Sequence, residues 1–344
     1  MFEGIIMGSA AKLISGVQYV HRALIVFTVL TVAAIEAAAG QSFSIRDLGT
    51  LPGVNFSQAY GLNERGQVVG VSAIAGGPTR AVLFENGMVT DLGAIYPDDP
   101  YSVAFGINNR GQVVGDSYRH AFLFENGVMT DLGTLGGLIS SARGINERGQ
   151  VVGYSNLAGR GGVVHAFLFE NGVMTDLGAP GGNSSAAYAI NDRGQVVGYL
   201  RTASGALHAF LYENGMMTDL GTLPGGHDSQ ALGINNRGQV VGYSSTASGE
   251  GHAFLYENGV MTDLGTLPGG HNSQAVGINE RGQVAGYSTT ASGFLHAFLF
   301  EKGAMTDLGT LAGANNSFAT GINNRGQVAG YSSDTTVHAV LWTR

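Results

Sequence analysis

The side chains best suited to chemistry are a histidine and an aspartate in "HAFLYENGVMTDLG", His252 and Asp263. An imidazole beside a carboxylate is the arrangement that general acid–base and proton-relay sites use. Here the pair is repeated. Asp263 has counterparts in all seven copies of one sequence unit, and His252 in six. Asn235, Arg237 and Gln239 also have counterparts in all seven. A catalytic centre needs one asymmetric cluster, so polar residues present in every unit are expected to hold the unit's shape. In a hairpin closed at Asn258–Gly259, Phe254 lies opposite Asp263, and His252 is diagonal to it on the same face. A buried His252–Asp263 contact is therefore expected. Arg237 and Glu257 flank neighbouring hairpin tips and are candidates for a rim ion pair.

Removing the repeated acids after residue 40 leaves Asp98, Asp99, Asp116, Asp228, Glu250 and Asp334. They are scattered over several units and form no visible carboxylate pair for glycoside hydrolysis. His227 and His271 occupy equivalent loop positions. A metal shared between them would need further ligands, with Asp228 and Asn272 nearest in sequence; two exposed loop histidines are the plainer reading. The chain has no cysteine, so it has neither a thiolate nor a disulfide framework. It has no phosphate loop, no nucleophile elbow and no basic aromatic strip. The expectation is no catalytic residue, no metal and no cofactor. An exported carbohydrate-active enzyme is the alternative.

The elements that position these residues follow from the period. "GLNERGQVVG" starts at Gly61, and its counterparts start at Gly106, Gly144, Ala189, Gly233, Gly277 and Gly321, in steps of 38 to 45 residues. Within one copy, "ALGIN" and "QVVGYS" flank an "NRG" turn. "HAFLYE" and "VMTDLG" flank Asn258–Gly259, a strong signal for a two-residue type I′ hairpin. Four short antiparallel strands per unit is the pattern of a β-propeller blade. A β-solenoid competes, but it does not need two tight hairpins per repeat. "GQV" and "DLG" each occur seven times but out of phase: the chain opens on a fourth strand, "SIRDLG", and closes on a third, "HAVLWTR". The fold expected is all-β: a seven-bladed propeller over 41–344, in which residues 43–49 complete the blade formed by 319–344.

Glycine is abundant (56 residues), charged residues make up 12% and the net charge is −8. That balance argues against nucleic acid or an anionic membrane as partner. Residues 1–40 read as a secretory signal peptide: His21 and Arg22, then the apolar "ALIVFTVLTVAAI" of 23–35, then small residues Ala37 and Ala39. The apolar run is shorter than the ~20 residues of a membrane span. An uncleaved anchor is the competing reading. The mature chain is expected to be a monomer without a membrane span, secreted or on the cell surface, with the periplasm as another destination.

The tripeptide "HAF" recurs at 120–122, 165–167, 208–210, 252–254 and 296–298, with "RAV" at 80–82 and "HAV" at 338–340. By these residues the chain resembles the extracellular HAF repeat family of bacteria. The resemblance implies an exported repeat protein and brings no known reaction. Some members carry a C-terminal anchoring segment, which "LWTR" does not match, so retention through the C-terminus is not expected.

Strand direction separates two faces. The "NRG" and Asn–Gly turns share one, the turn face, and are nearly identical from copy to copy. The other, the loop face, carries variable connections such as "AIYPDDPYSV" and "TLGGLISS". Blade two shortens its inner loop to "SYR", which leaves a gap in the rim. Bulky residues outside the repeat pattern, Tyr96, Tyr101, Tyr118, Arg119 and Arg160, fall on the loop face in blades one to three. Aromatic and arginine side chains on loops of a rigid scaffold are common binding anchors. They are the candidate ligand-binding residues, for an extracellular protein or polysaccharide.

Overall fold

The computed structural model describes residues 43–96, 98, 100–159 and 162–344. The reading of 1–40 as a signal segment lies outside these, as do Asp99 and Arg160. Residues Ser44–Thr343 form one compact unit of 28 strands, β1–β28 in chain order. They make seven four-stranded antiparallel sheets, the blades of a propeller. Blades one to six each use four consecutive strands. Blade seven is built from both ends: its order is β1 (Ser44–Asp47), β28 (Val337–Thr343), β27 (Val328–Ser333), β26 (Asn316–Ile322). Ser44 pairs with Thr343 and Asp47 with Val340, so the ring closes as the phase of the repeats requires.

The turns follow from backbone chemistry. Asn258 and Gly259 have φ of 52° and 81°, both positive as a type I′ turn demands. At the other tip Gly238 (φ 81°) ends a turn in which its N–H donates to the Asn235 carbonyl, 3.0 Å away. Apolar layers form between blades. Val197 and Ala209 of blade four pack with Ala231, Val240 and Phe254 of blade five. The glycine of "GYS" is required by close approach: a Cβ on Gly242 would collide with the Gln230 carbonyl of the neighbouring strand.

Asn235 and its counterparts are buried and bridge the blades. Its Nδ2 donates to the Asn279 carbonyl at 3.1 Å, and its Oδ1 accepts from the N–H groups of Arg237 and Gln239. The same link runs from Asn63 to Asn108, Asn146, Asn191, Asn235, Asn279 and Asn323, and from Asn323 back to the Asn63 carbonyl at 3.1 Å. The hydrogen bonds form an unbroken circle. Gln239 donates to Glu257 at 2.9 Å. Arg237 is exposed and its guanidinium reaches Gly282 of the next blade, so the expected Arg237–Glu257 pair is replaced by the Gln239–Glu257 contact.

Candidate functional site

His252 Nδ1 and Asp263 Oδ2 lie 2.7 Å apart, and Phe254 is registered with Asp263. Equivalent contacts occur in the other histidine-bearing blades, including His338 with Asp47 across the chain ends. In blade one Arg80 takes the histidine's place, 3.3 Å from Asp91. The pairs are less buried than expected: the His252 and Asp263 side chains retain 19% and 42% of their exposure. The fourth strand is the outermost in the sheet, so its carboxylate meets solvent. Each aspartate also caps its own turn, as Asp263 Oδ1 accepts from the Gly265 N–H at 2.7 Å. His227 and His271 are engaged separately, with Asp228 (3.2 Å) and Glu250 (3.1 Å). No metal-holding group of three His, Asp or Glu side chains occurs among the described residues.

The loop face gathers most of the candidate anchors. The "SYR" segment joins β7 (Val113–Ser117) to β8 (His120–Glu125) through Tyr118 and Arg119 alone. Both have positive φ, 43° and 71°. A two-residue hairpin of this kind normally uses Asn–Gly, because a side chain in the left-handed region costs about 1–2 kcal/mol. The strained turn is held by the Ser140 N–H, which donates to the Arg119 carbonyl at 2.7 Å. Tyr96 packs edge-on against Tyr118, with ring centres 6.0 Å apart, and its hydroxyl donates to Asp131 at 3.2 Å. The His120–Asp131 pair is thereby drawn into the wall of a hollow of about 500 Å³ lined by Tyr96, Asp98, Tyr118, Arg119, His120 and Leu138. Leu138 is 78% exposed. Of the five predicted anchors, Tyr96, Tyr118 and Arg119 therefore meet. Tyr101 does not join them.

Tyr101 lies instead near Asp116, Arg143 and Tyr154, where burial and the Asp116 carboxylate push its phenol up. The innermost strand of each blade carries a β-bulge between its alanine and the following glycine position, as between Ala231 and Gly233. Bulges re-aim the extra residue. The residues so placed are Tyr60, Phe105, Arg143 and Tyr188 in blades one to four, and Leu232, Val276 and Thr320 in blades five to seven. Six of them line the shaft; the Phe105 ring packs beside Tyr60, with centres 5.3 Å apart. Tyrosines of the second strands flank them: Tyr199 is 5.9 Å from Tyr188, and Tyr331 stacks on Phe318 at 4.7 Å.

Arg143 and Asp116 break the sevenfold pattern. The Arg143 guanidinium sits over the Phe105 ring at 3.9 Å and donates to the Tyr154 hydroxyl at 3.0 Å. Asp116 accepts from the Ser141 hydroxyl at 2.9 Å. Arg143 Nε and Asp116 Oδ1 are buried without a protein partner. Burial pushes the Asp116 carboxyl above the usual carboxylate range, against the lowering by Ser141 and Arg143. Burial also pushes Tyr60, Tyr188 and Tyr287 up to about 12, so these phenols stay protonated at neutral pH. Sequence reasoning missed Arg143. Its signal was available as the only charged residue at the fourth position of the "SQALGIN" pattern.

Comparison with known proteins corrects one expectation. The family model that matches is "Protein of unknown function (DUF3466)", over residues 174–267, not a HAF repeat model. The "HAF" tripeptide follows from blade geometry: histidine for the carboxylate, alanine and phenylalanine for the interblade layers. No curated protein matches the chain. Among solved structures it is similar to a streptogramin B lyase (13% identity, TM-score 0.51, 88% of this chain and 98% of that one). It is also similar to the β-propeller domain of the trilobed protease from Pyrococcus furiosus (11%, 0.53, 83% and 95%). A third is a puromycin hydrolase (14%, 0.54, 80% of this chain), of which the match spans 50%. At such identities the likeness shows the propeller fold alone.

Proposed function

We propose that the protein is an exported, non-catalytic binding propeller that docks an extracellular protein or glycan on its loop face over blades one to three. The observation carrying this reading is the Tyr118–Arg119 turn. Two bulky side chains are held in a backbone region that disfavours them, and both project into a hollow walled by Tyr96 and Leu138. Strain kept where a cheaper Asn–Gly turn would serve is characteristic of functional sites. An exposed group of tyrosine, arginine and leucine has the composition of binding hot spots and interaction patches. Export is supported by the apolar stretch at 23–35 and the small residues after it.

The test uses fluorescently labelled protein lacking residues 1–40, mixed with whole bacterial cells and with their isolated surface polysaccharide. Wild type is expected to bind without releasing sugar, and the Tyr118→Ala, Arg119→Ala double variant to lose at least tenfold in affinity. Hydrogen-exchange protection confined to the "NRG" and Asn–Gly turns, or an unaffected double variant, would overturn the reading.

A further inference from the structure

The loop-face hollow has a neighbour. A second hollow, of about 460 Å³, is lined by Arg119, Gly137, Leu138, Ile139, Asn156 and Leu157 among others. Arg119 and Leu138 line the first hollow too, so the two share a wall and form one groove. The groove is made by a local break in the sheet. β10 (Gly136–Ile145) pairs Gly136 with Leu157 and Ser140 with Ser155 of β11 (Val151–Leu157), which leaves Gly137, Leu138 and Ile139 opposite Asn156 alone. The bulge turns Leu138 out into solvent. Leu138 stands two residues before the buried Ser140. At the same distance before their buried serines, the other connections carry Asn55, Asn183, His227, His271 and Asn315, or Pro100.

The lining selects the kind of partner. Most exposed large apolar side chains follow the repeat: Met88, Val128, Val173, Met216 and Val260 each come directly after an Asn–Gly turn. Tyr96, Tyr118, Leu138 and Ile139 are exposed and lie together instead. Exposed apolar side chains gathered in one place mark interaction surfaces. Branched aliphatic side chains offer no flat face to a sugar ring. The described polar side chains of the second hollow are Arg119 and Asn156, and Asn156 Nδ2 already donates to the Val163 carbonyl at 3.4 Å. A sugar seated there would give up water from hydroxyls that gain no partner. An apolar side chain of a protein bears no such cost and is itself removed from water.

The shared wall carries the charge. The Arg119 guanidinium lies 5.9 Å from the centre of the Tyr118 ring and makes no ion pair among the described residues, whereas Arg80 is held by Asp91 at 3.3 Å. A guanidinium without a carboxylate is suited to take one from a partner, through two parallel hydrogen bonds. Its backbone is fixed beforehand by the bond from the Ser140 N–H to the Arg119 carbonyl, which lowers the cost of ordering it. Asp98 lines the first hollow and not the second, and it repels a further acid there. Resting on the loop-face reading, we propose that the groove takes an extended segment of an extracellular protein, with one acidic residue on Arg119 and one apolar side chain in each hollow. Alternate side chains of an extended chain share a face, so the pattern read is apolar–x–acidic–x–apolar.

The probes are capped, fluorescent heptapeptides of that pattern between terminal glycines. Each has Ser at both x places, Glu at the centre, and Leu, Ile, Val, Phe or Tyr at the apolar places; matched sets carry Gln or Lys at the centre. Fluorescence anisotropy on the full chain is expected to find Glu peptides bound at roughly 1 mM or tighter, and roughly tenfold tighter than their Gln counterparts, with the Lys set weakest. Arg119→Gln is expected to erase the preference for Glu over Gln. Leu138→Asn gives an exposed position the residue type of other blades, so it is expected to keep the wild-type Tm and to weaken the Glu peptides roughly tenfold. No Glu peptide bound, equal binding of the Glu and Gln sets, or binding indifferent to Leu138→Asn would overturn the inference. Protease-treated and periodate-treated cells separate it from the loop-face reading. Wild-type binding that is lost after proteolysis supports the inference. Binding that survives proteolysis, is lost after periodate and still needs Tyr118 and Arg119 overturns it and leaves the loop-face reading standing for a glycan. A wild type that binds no cells contradicts the loop-face reading, and the peptides then decide the inference by themselves.

Discussion

The two faces of the ring are made from the same repeats and have opposite character. On the turn face, a buried asparagine in each blade bonds to the next, and its neighbour does the same: the Glu280 N–H donates to Asn324 Oδ1 at 2.7 Å, and the Asn324 N–H to Glu64 Oε1 at 2.9 Å. Each of these buried asparagines has its partners supplied by the repeat. On the loop face the repeat is interrupted. Blade two closes a hairpin with Tyr118–Arg119, and blades two and three hold an aspartate and an arginine that depart from the repeat and bury unmet atoms. Order is repeated where it stabilises the ring and broken where a ligand could be read.

The comparison breaks if stability and binding do not separate between the faces. The largest effect is expected at the seam. Deleting residues 44–53 removes β1, uncovers β28 and loses the Asp47–His338 pair. A loss of about 4 kcal/mol and a fall in Tm of about 8 °C or more are expected by calorimetry, with aggregation from the exposed strand edge. An unchanged Tm would contradict the closure.

Next comes the circle itself. Asn191→Ala removes donations to the Asn235 carbonyl and Gln195 Oε1, and the acceptor for two N–H groups. Chemical denaturation is expected to show a loss of about 2–4 kcal/mol, with cell-surface binding intact in the folded fraction. Selective loss of binding would place function on the turn face.

The third change has the opposite sign. Tyr118→Asn with Arg119→Gly replaces a strained turn by a relaxed one, so stability is expected to rise by about 1–2 kcal/mol while cell-surface binding falls. Lys302→Asn relieves a similar positive φ of 52° in blade six. It is expected to add up to about 1 kcal/mol and to leave binding alone. If both variants gain stability and keep binding, Tyr118 and Arg119 are spacers.

Two smaller effects sharpen the contrast. Because Asp116 titrates above the usual range in the folded protein, its contribution to stability is present below about pH 3.9 and is lost as pH rises through the folded value. Asp116→Asn is therefore expected to exceed wild type in Tm at pH 7, by on the order of 1–2 °C, with the gap closing toward pH 4. A constant gap across that range would rule out titration as its cause. For His252 and Asp263, a double-mutant cycle is expected to give a coupling below about 1 kcal/mol, since the aspartate is exposed. Strict additivity would mean that the contact contributes nothing.

The blades were legible in the sequence because their turns are local. Asn258–Gly259 specifies its own backbone, and the opposite phase of "GQV" and "DLG" specifies the closure. The Tyr118–Arg119 hollow was legible in part: "SYR" is visibly too short, but only the φ angles show that the shortening is a strained turn and not merely a gap. The shaft was not legible. Alternation along "SQALGIN" assigns side chains to faces by parity, and the bulge after Ala231 shifts that parity by one residue. Arg143 and Tyr60 therefore look like tolerated variation until the register is known, and Tyr101 looks like a loop anchor until its neighbours are.

The seam also fixes an order in time. The Ser44 and Thr343 hydroxyls meet across 299 residues of chain. The β1 strand must wait, unpaired, for a partner that follows it in the chain by nearly the whole length of the propeller. Lengthening a loop adds little to the equilibrium cost of closing it, about 0.6 kcal/mol per doubling, so the finished ring is scarcely penalised for this arrangement. The rate is another matter, since contacts between distant residues form late. Six blades can zip locally before the seventh exists. The meeting of the two ends is thus expected to come last in folding, and until it happens Trp342, fully buried in the closed ring, would sit on the blade with an unfilled edge.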